Sequence, residues 1–355
     1  QAFFRVTERD VIALLIVQPV VFVLANIFIV ELLYSNPSFF ILVKRIFIFN
    51  TLILPFVMLL FGGIALYWCL RHKGKRSLLF GSIGSLSVAV FLLGLHVYAT
   101  HIEPKHLTLG TIAIETPKVN STLRVLHITD TQSACVGSYE KNAFERMKAM
   151  QPDLVLFTGD LVQPVSPATY ETEIPKIATL ISSLNPPLGI LGVFGDTDDP
   201  LYDISSDDLG GMRLIERREE IISFGDTRLN ILCLSLAQSR DGDRANIKKW
   251  LEEAAPTDFT ILMGHAPDYV LSVNDLPIDL CLAGHTHGGQ VVVPFIGALV
   301  TASSIPAEWA RGFRQIGNTQ INISAGIGCE HVQEVTPIRF NCPPEMTLIE
   351  LVPPA

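Results

Sequence analysis

The chain has 355 residues, enough for about two domains, and a net charge of −9. The charge is divided unequally, because the first hundred residues carry eight Lys/Arg and three Asp/Glu whereas the remainder carries 18 and 32. This acidic remainder argues against nucleic-acid binding, which needs clustered basic side chains on one face. The six cysteines form no CxxC pair and no zinc-motif spacing.

Three long apolar runs fill the N-terminal region, at 11–33, 46–70 and 78–100. Each is long enough to cross a hydrocarbon core of ~30 Å. A buried core helix rarely stays apolar over more than ~20 residues, and a cleaved signal peptide would explain only one run. The sequence therefore predicts a multi-pass membrane region, residues 1–105, with three transmembrane helices.

The short loops predict how these spans are oriented. The loop "RHKGKR" at 71–76 carries four Lys/Arg, against two in the loop at 34–45. Because basic loops stay in the cytoplasm, the 71–76 loop and the N-terminus are expected there. Three spans then place the C-terminal domain on the extracytoplasmic side.

From about residue 120 the chain alternates short apolar runs with amphipathic segments, which indicates a layered α/β domain. Residues 106–122 are predicted to be a connector that leads into an edge strand. The predicted helices are 138–150, 171–184 and 243–254. The predicted strands are 123–130, 153–160, 189–196, 230–237, 259–265, 278–287 and 346–351.

Polar side chains recur where these strands end, at the position where open α/β sheets bind ligands. They are Asp130, Gln132, Asp160, Asp196, His265, His285 and His287. Taken singly, such an Asp often caps a helix and such a His is often structural. Taken together, carboxylates with imidazoles suit two divalent ions of the Mn, Fe or Zn type, and the lack of thiolates argues against structural zinc.

The order of these motifs resembles the calcineurin-like metallophosphoesterase family. The motifs are "DTQ" (130–132), "GD" (159–160), "GDT" (195–197), "GH" (264–265) and "GHTH" (284–287). The segments "GHTHGGQVVVPFIGAL" and "IRFNCPPE" resemble the membrane-tethered branch, which includes UDP-diacylglucosamine pyrophosphatases. The resemblance implies a four-layer αββα domain over 123–355. It also implies hydrolysis of a phosphate ester or pyrophosphate bond, with a lipid-linked substrate made plausible by the membrane spans.

The resemblance also implies two sets of ligands and a metal-bound hydroxide as the attacking group. One ion, with Mn²⁺ favoured over Fe or Zn, would be held by Asp130, Gln132, Asp160 and His287. The other would be held by Asp160, Asp196, His265 and His285, so that Asp160 bridges the pair.

Three positions depart from the family pattern. Gln132 replaces a His ligand, Asp196 replaces an Asn, and Thr197 replaces the His that protonates the leaving group. Loss of a general acid matters most for basic leaving groups, since proton donation contributes ~10²–10⁴-fold there. An active enzyme should therefore favour a pyrophosphate-type bond over an alkyl ester.

Two further residues and one competing function complete these predictions. His331 could supply the missing proton from another loop, although a plain surface His is commoner. Trp309 could touch lipid or an acyl chain, although packing on its own domain is commoner. The competing function is a catalytically impaired membrane protein that binds a metal or a partner through the same fold.

Overall fold

The computed structural model describes residues 7–34, 39–73, 75–331 and 337–354. The chain divides into two compact units, residues 1–102 and 103–355. Each unit has its own cluster of buried apolar side chains.

The N-terminal unit is helical. Its helices are Glu8–Tyr34 (α1), Phe39–Ile48 (α2), Leu54–His72 (α3) and Arg76–Val97 (α4). A π-helical turn at Phe49–Ile53 joins α2 to α3, and another at Tyr98–Ile102 follows α4. By length and composition three helical stretches can cross a membrane, as predicted: Glu8–Phe28, Leu42–His72 and Arg76–Lys105.

Polar side chains link the helices of this unit. Asn26 and Asn50 exchange amide hydrogen bonds of 3.0 and 2.7 Å, and Ser85 donates to Gln18 Oε1 at 2.6 Å. In hydrocarbon there is no water to satisfy such groups, so paired polar side chains hold membrane helices together. His96, which lies near a predicted span end, contacts the Thr51 hydroxyl at 3.0 Å.

The C-terminal unit contains two large sheets within the described residues. Its strands are Thr108–Glu115 (β1), Leu123–Ile128 (β2), Leu154–Phe157 (β3), Ile190–Gly192 (β4), Met212–Leu214 (β5), Arg218–Phe224 (β6), Thr227–Cys233 (β7), Phe259–Met263 (β8), Leu280–Ala283 (β9), Val292–Val293 (β10), Gly297–Ala298 (β11), Gly312–Ile316 (β12), Thr319–Ile323 (β13) and Glu345–Val352 (β14). Its helices are Ser138–Ala149 (α5), Tyr170–Ser182 (α6), Leu236–Asp241 (α7), Arg244–Glu253 (α8) and Val270–Val273 (α9).

The sheets have the orders β1-β14-β2-β3-β4-β5 and β12-β13-β9-β8-β7-β6. Strands β2 to β5 run parallel in the first sheet, and β7, β8, β9 and β13 run parallel in the second. Strands β10 and β11 form a separate antiparallel hairpin. Parallel central strands put their carboxyl ends, and the polar residues that follow them, at one edge of each sheet.

Alternation along the strands builds four layers. Leu154 and Leu156 face the second sheet, whereas Val155 and Phe157 face α5 and α6, because successive side chains of a strand point to opposite faces. On the far side, α8 and α9 cover the second sheet. Burial of each large apolar side chain contributes ~1.5–3 kcal/mol. The predicted αββα fold is confirmed.

The segment predicted as a connector, 106–122, contains a strand of eight residues. Residues Thr108–Glu115 form β1, which pairs in parallel with β14 at the edge of the first sheet. Ile114 is buried between the sheets and Ile112 packs against the same cluster. The alternating apolar residues of this strand pair with a strand more than 200 residues away, which sequence spacing does not reveal.

Candidate metal centre

The seven polar residues predicted from the strand ends lie together in the structure. Asp130, Asp160 and Asp196 follow β2, β3 and β4 of the first sheet. His265 follows β8, and His285 and His287 follow β9, in the second sheet. Two groups emerge, Asp130/Asp160/His287 and Asp196/His265/His285, and within each group the candidate ligand atoms lie within 4.8 Å of one another. The family resemblance implies ligand sets that contain these two groups, with Gln132 added to the first and Asp160 shared with the second.

The first group is buried and has a spare acceptor. His287 Nε2 lies 3.5 Å from Asp130 Oδ1. Gln132 donates from Nε2 to Asp160 Oδ2 at 2.7 Å, while its Oε1 is buried without a hydrogen-bond partner in the described part of the chain. A buried amide oxygen that lacks a donor costs free energy, and a cation would relieve that cost. The Gln132 side chain therefore fits the predicted ligand role.

The second group is held by hydrogen bonds to the backbone. His265 Nδ1 bonds the Thr158 carbonyl at 2.7 Å, and His285 Nε2 bonds the Ala302 carbonyl at 3.0 Å. These bonds direct the opposite ring nitrogens at Asp196 Oδ2, with distances of 3.4 Å from His265 Nε2 and 2.9 Å from His285 Nδ1. A backbone carbonyl bonded to one ring nitrogen is the usual way to orient a histidine ligand.

Asp160 lies between the two groups. Its Oδ2 is 3.5 Å from His265 Nε2 of the second group, while its other contacts include Gln132 beside the first. A carboxylate in this position can serve both sets of donors.

The electrostatics of the site call for a cation. Burial raises the pKa of Asp130 to about 6, and the neighbouring Asp160 adds to the shift. Burial alone would lower the pKa of His265, but Asp160, Asp196 and Asp130 outweigh it and raise that pKa to about 10. Burial would likewise raise the pKa of Asp196, yet hydrogen bonds from the two histidines hold it well below its ordinary value. The donor set of carboxylates, imidazoles and one amide fits divalent ions.

The backbone at the site is strained in a recurring way. Five of the seven residues have a positive φ, a conformation uncommon outside glycine: Asp130 (46°), Gln132 (34°), Asp160 (62°), His285 (67°) and His287 (48°). Each such residue costs ~1–3 kcal/mol, which the surrounding packing must offset. Such outliers cluster at functional sites, so the strain supports the same location for the site.

Two glycines allow the loops to approach one another. A side chain at Gly195 would collide with the Asp160 carboxylate, and one at Gly284 would collide with Thr129 and the Asp130 carboxylate. The glycines of the "GDT" and "GHTH" motifs are thus needed for the close approach of these loops.

Asp198 organises the site without joining either group. Its buried carboxylate accepts backbone N–H bonds from Asp160 (2.7 Å), Leu161 (2.9 Å) and Gly195 (2.8 Å). Burial, together with the charge of Asp160, raises its pKa to about 7. Local sequence shows only that an acid follows Thr197. Its role in joining the loops after β3 and β4 depends on the tertiary structure.

Arg339 supports a neighbouring loop in the same way. Its fully buried guanidinium donates to the carbonyls of Ala325 (2.7 Å) and Gly328 (3.1 Å from Nε). That loop in turn donates from Gly328 N–H to the Asp130 carbonyl at 2.7 Å. Arg339 belongs to the segment "IRFNCPPE" that resembles the membrane-tethered branch, but the segment alone assigned no role to this arginine.

Thr197 is tied to Asp160. Its backbone N–H and its hydroxyl donate to Asp160 Oδ1 at 2.8 and 3.3 Å, and its carbonyl accepts a bond from the Tyr170 hydroxyl at 3.0 Å. A threonine hydroxyl in this position donates a hydrogen bond to a carboxylate and does not release a proton near neutral pH.

Arg240 is a cation at the site that sequence reasoning missed. It lies on α7 and forms an ion pair and hydrogen bond with Asp196 Oδ1, while Asp196 Oδ2 faces His265 and His285. Arg240 therefore balances the charge that Asp adds where the family has Asn. The only available signal was a basic residue soon after a strand, which is too common to single out.

Arg240 should act through Asp196. We expect R240Q to weaken metal-dependent turnover by up to about fivefold, since partly exposed ion pairs contribute ~0.2–1 kcal/mol. In a D196N background the same substitution should have no further effect, because the amide needs no counter-charge. Titrating Mn²⁺ against activity and thermal stability for the four variants checks this. An equal loss in both backgrounds would mean that Arg240 contacts the substrate directly.

Two minor candidates lie outside these groups. The backbone N–H of His331 donates to Gln163 Oε1 at 2.6 Å, and Gln163 bonds Ser133, next to Gln132. Trp309 is partly buried against the cluster beneath the second sheet. A proton-donor role for His331 and a substrate contact for Trp309 stay predictions.

Comparison with known proteins agrees with the geometry. Residues 123–289 match the calcineurin-like phosphoesterase family model. The chain therefore carries a calcineurin-like metallophosphoesterase domain and is a hydrolase of phosphoesters, preceded by three helices able to span a membrane. The predicted family is confirmed.

Three relatives extend this comparison. An uncharacterized metallophosphoesterase of Bacillus subtilis, YkuE, is 27% identical over 293 residues, covering 79% of this chain and 99% of the relative. The UDP-2,3-diacylglucosamine pyrophosphatase LpxG of Chlamydia muridarum is 24% identical over 250 residues, covering 56% and 74%. The phosphodiesterase YaeI of Escherichia coli is 36% identical over 92 residues, covering 26% and 32%.

Proposed function

We propose that this protein is a membrane-anchored phosphoesterase with two divalent ions, which cleaves a phosphoanhydride or similarly activated bond in a lipid-linked substrate. The observation that carries the proposal is the pair of ligand groups linked by Asp160, which belongs to the first group and lies 3.5 Å from His265 of the second. The membrane spans support a lipid-linked substrate, since they confine the domain to the neighbourhood of the bilayer.

In this proposal one ion is held by Asp130, Gln132, Asp160 and His287, and the other by Asp160, Asp196, His265 and His285. Mn²⁺ suits this mixture of oxygen and imidazole donors better than a thiolate-preferring ion does. When bound, two such ions activate water and stabilise charge on the phosphoryl oxygens. The chain's own residues then orient the donors: Asp198 fixes the loops, and Arg240 holds Asp196.

The residue at position 197 limits the kind of leaving group that the site can release. Because this residue donates its hydroxyl to Asp160, the site lacks a proton donor at the position where the family has one. Cleavage of a phosphoanhydride releases a stable phosphate anion, and this leaving group needs no such donor. The pyrophosphatase name of the Chlamydia muridarum relative supports a phosphoanhydride substrate.

Turnover of bis(p-nitrophenyl) phosphate by the full chain in detergent tests the proposal. This substrate has a stable leaving group, so we expect hydrolysis that disappears on chelation and returns with added Mn²⁺. Folded protein with no turnover in Mn²⁺, Fe²⁺ or Zn²⁺ would overturn the enzyme proposal. That result would favour the competing function, a module that binds a metal or a partner.

We also propose that the domain lies on the extracytoplasmic side. Within the helical unit, Glu8 at the start of α1 pairs with Lys75 of the basic 71–76 loop at 2.8 Å, which supports a common side for both. Protease added outside sealed right-side-out vesicles should then digest the domain. A domain that is protected until the vesicles are opened would contradict this orientation.

A further inference from the structure

We propose that the β10–β11 hairpin is a membrane-contact element whose turn inserts apolar side chains into the surface of the bilayer. At this turn Phe295 is fully exposed and Ile296 is 72% exposed. Phe295 also has a φ of 68°, in the left-handed region that aromatic residues seldom adopt. Exposing an aromatic and an aliphatic side chain to water at the tip of a hairpin does not stabilise the fold.

The charge pattern around the hairpin suits a lipid surface. Residues 288–307 contain no Asp, Glu, Lys or Arg, although the region beyond residue 100 carries 32 acidic side chains. Carboxylates are repelled by anionic headgroups, and aromatic side chains are favoured at the membrane–water interface. The exposed residues of this stretch, among them Phe295 and Ile296, therefore bring no charge of their own to a bilayer.

The length of the tether favours lipid over a soluble partner. The last candidate span ends at Lys105 and β1 begins at Thr108. The three Cα–Cα steps from Lys105 to Thr108 reach roughly 10 Å even when fully extended, at about 3.5 Å per step. For a domain joined so closely to a candidate span, lipid is the apolar phase nearest in the chain's own surroundings.

The base of the hairpin is joined to the ligand-bearing loop. Val292 N–H donates to the Phe340 carbonyl at 2.9 Å, and Phe340 N–H donates to the Gln290 carbonyl at 2.8 Å. Gly289, two residues after His287, packs so closely on Ala298 that a side chain there would collide with it. Contact at the turn would hold the metal centre near the headgroups, a consequence that rests on the proposed lipid-linked substrate.

Spin labelling of the full chain tests the contact without any need for turnover. Cys135, the exposed cysteine, is first replaced by Ser, since the other described cysteines are buried. F295C is then labelled, with D226C as the matched control, because Asp226 is an exposed residue at the turn between β6 and β7. Both sites tolerate a label without disturbing a core. The protein is reconstituted into vesicles of phosphatidylethanolamine and phosphatidylglycerol.

In these vesicles the label at 295 should be more accessible to oxygen, and less accessible to an aqueous nickel complex, than the label at 226. The label at 226 should stay accessible to nickel. Equal nickel access at both positions, in protein that floats with the vesicles, would overturn the proposal. Spin–spin broadening at 295 that disappears on dilution with unlabelled chain would also overturn it, because it would identify a second copy as the occupant.

Discussion

Replacing Asp160 with Asn is expected to lower turnover by at least about 10³-fold and to remove metal-dependent stabilisation. Removing a group that stabilises charge in a transition state typically costs ~10²–10³-fold, and in the proposed site Asp160 serves both ligand groups. The Asp160 carboxylate is buried, accepts bonds from Gln132 and Thr197, and lies 3.5 Å from His265. An amide of the same shape keeps the packing but removes the shared negative charge.

Metal-dependent thermal unfolding of the full chain separates this effect from misfolding. Ions at 100 times their dissociation constant should stabilise the wild-type protein by about 2.7 kcal/mol per site, and D160N should lose most of this gain. D199N is the matched control, since Asp199 is an exposed carboxylate on a neighbouring loop and belongs to neither group. A D160N protein that binds two ions and turns over normally would contradict the shared role of Asp160.

The second large effect concerns the leaving group. Wild-type turnover should fall by ~10²–10⁴-fold from a p-nitrophenyl diester to an alkyl diester, because the alkoxide needs a proton that Thr197 cannot give. T197H should recover part of that loss for the alkyl ester and leave the p-nitrophenyl ester little changed. Parallel kinetic assays with both substrates under saturating Mn²⁺ measure the ratio.

T197V provides the control for the substitution itself. Valine keeps the shape of threonine and removes the hydroxyl that bonds Asp160, so both substrates should slow by the same small factor, worth ~0.5–1.5 kcal/mol. Equal wild-type rates for alkyl and aryl esters would mean that a proton donor exists elsewhere. H331A would then test whether it is His331.

The individual strands could be read from the sequence, but their partners could not. The runs at 123–130, 153–160 and 259–265 are apolar and end in polar residues, so local composition identified them. The sequence predicts a connector where β1 lies, because the residues of β1 form a strand by pairing with the distant β14. Pairing over such a separation is decided by which apolar faces bury one another, and that information is distributed over the whole chain.

The residues of the candidate site likewise fall into those that the sequence locates and those that it does not. The seven candidate ligand residues could be located because each follows a strand in a motif, and the order of the motifs resembles that of a known family. Asp198, Arg240 and Arg339 could not, because each acts through contacts with loops distant in sequence. A buried carboxylate that accepts three N–H bonds looks like any other Asp until the loops are in place.

Local sequence was enough to predict three helices able to span a membrane, the αββα class and the seven polar residues at strand ends, because hydrophobic periodicity and motif order are local properties. Only the folded chain shows that the ligand atoms of each group lie within 4.8 Å of one another, that five of these residues have a positive φ and that Asp196 pairs with Arg240. It also shows that the "PFIG" turn is exposed. These features depend on distances between loops of different sheets, which are established only when the cores close.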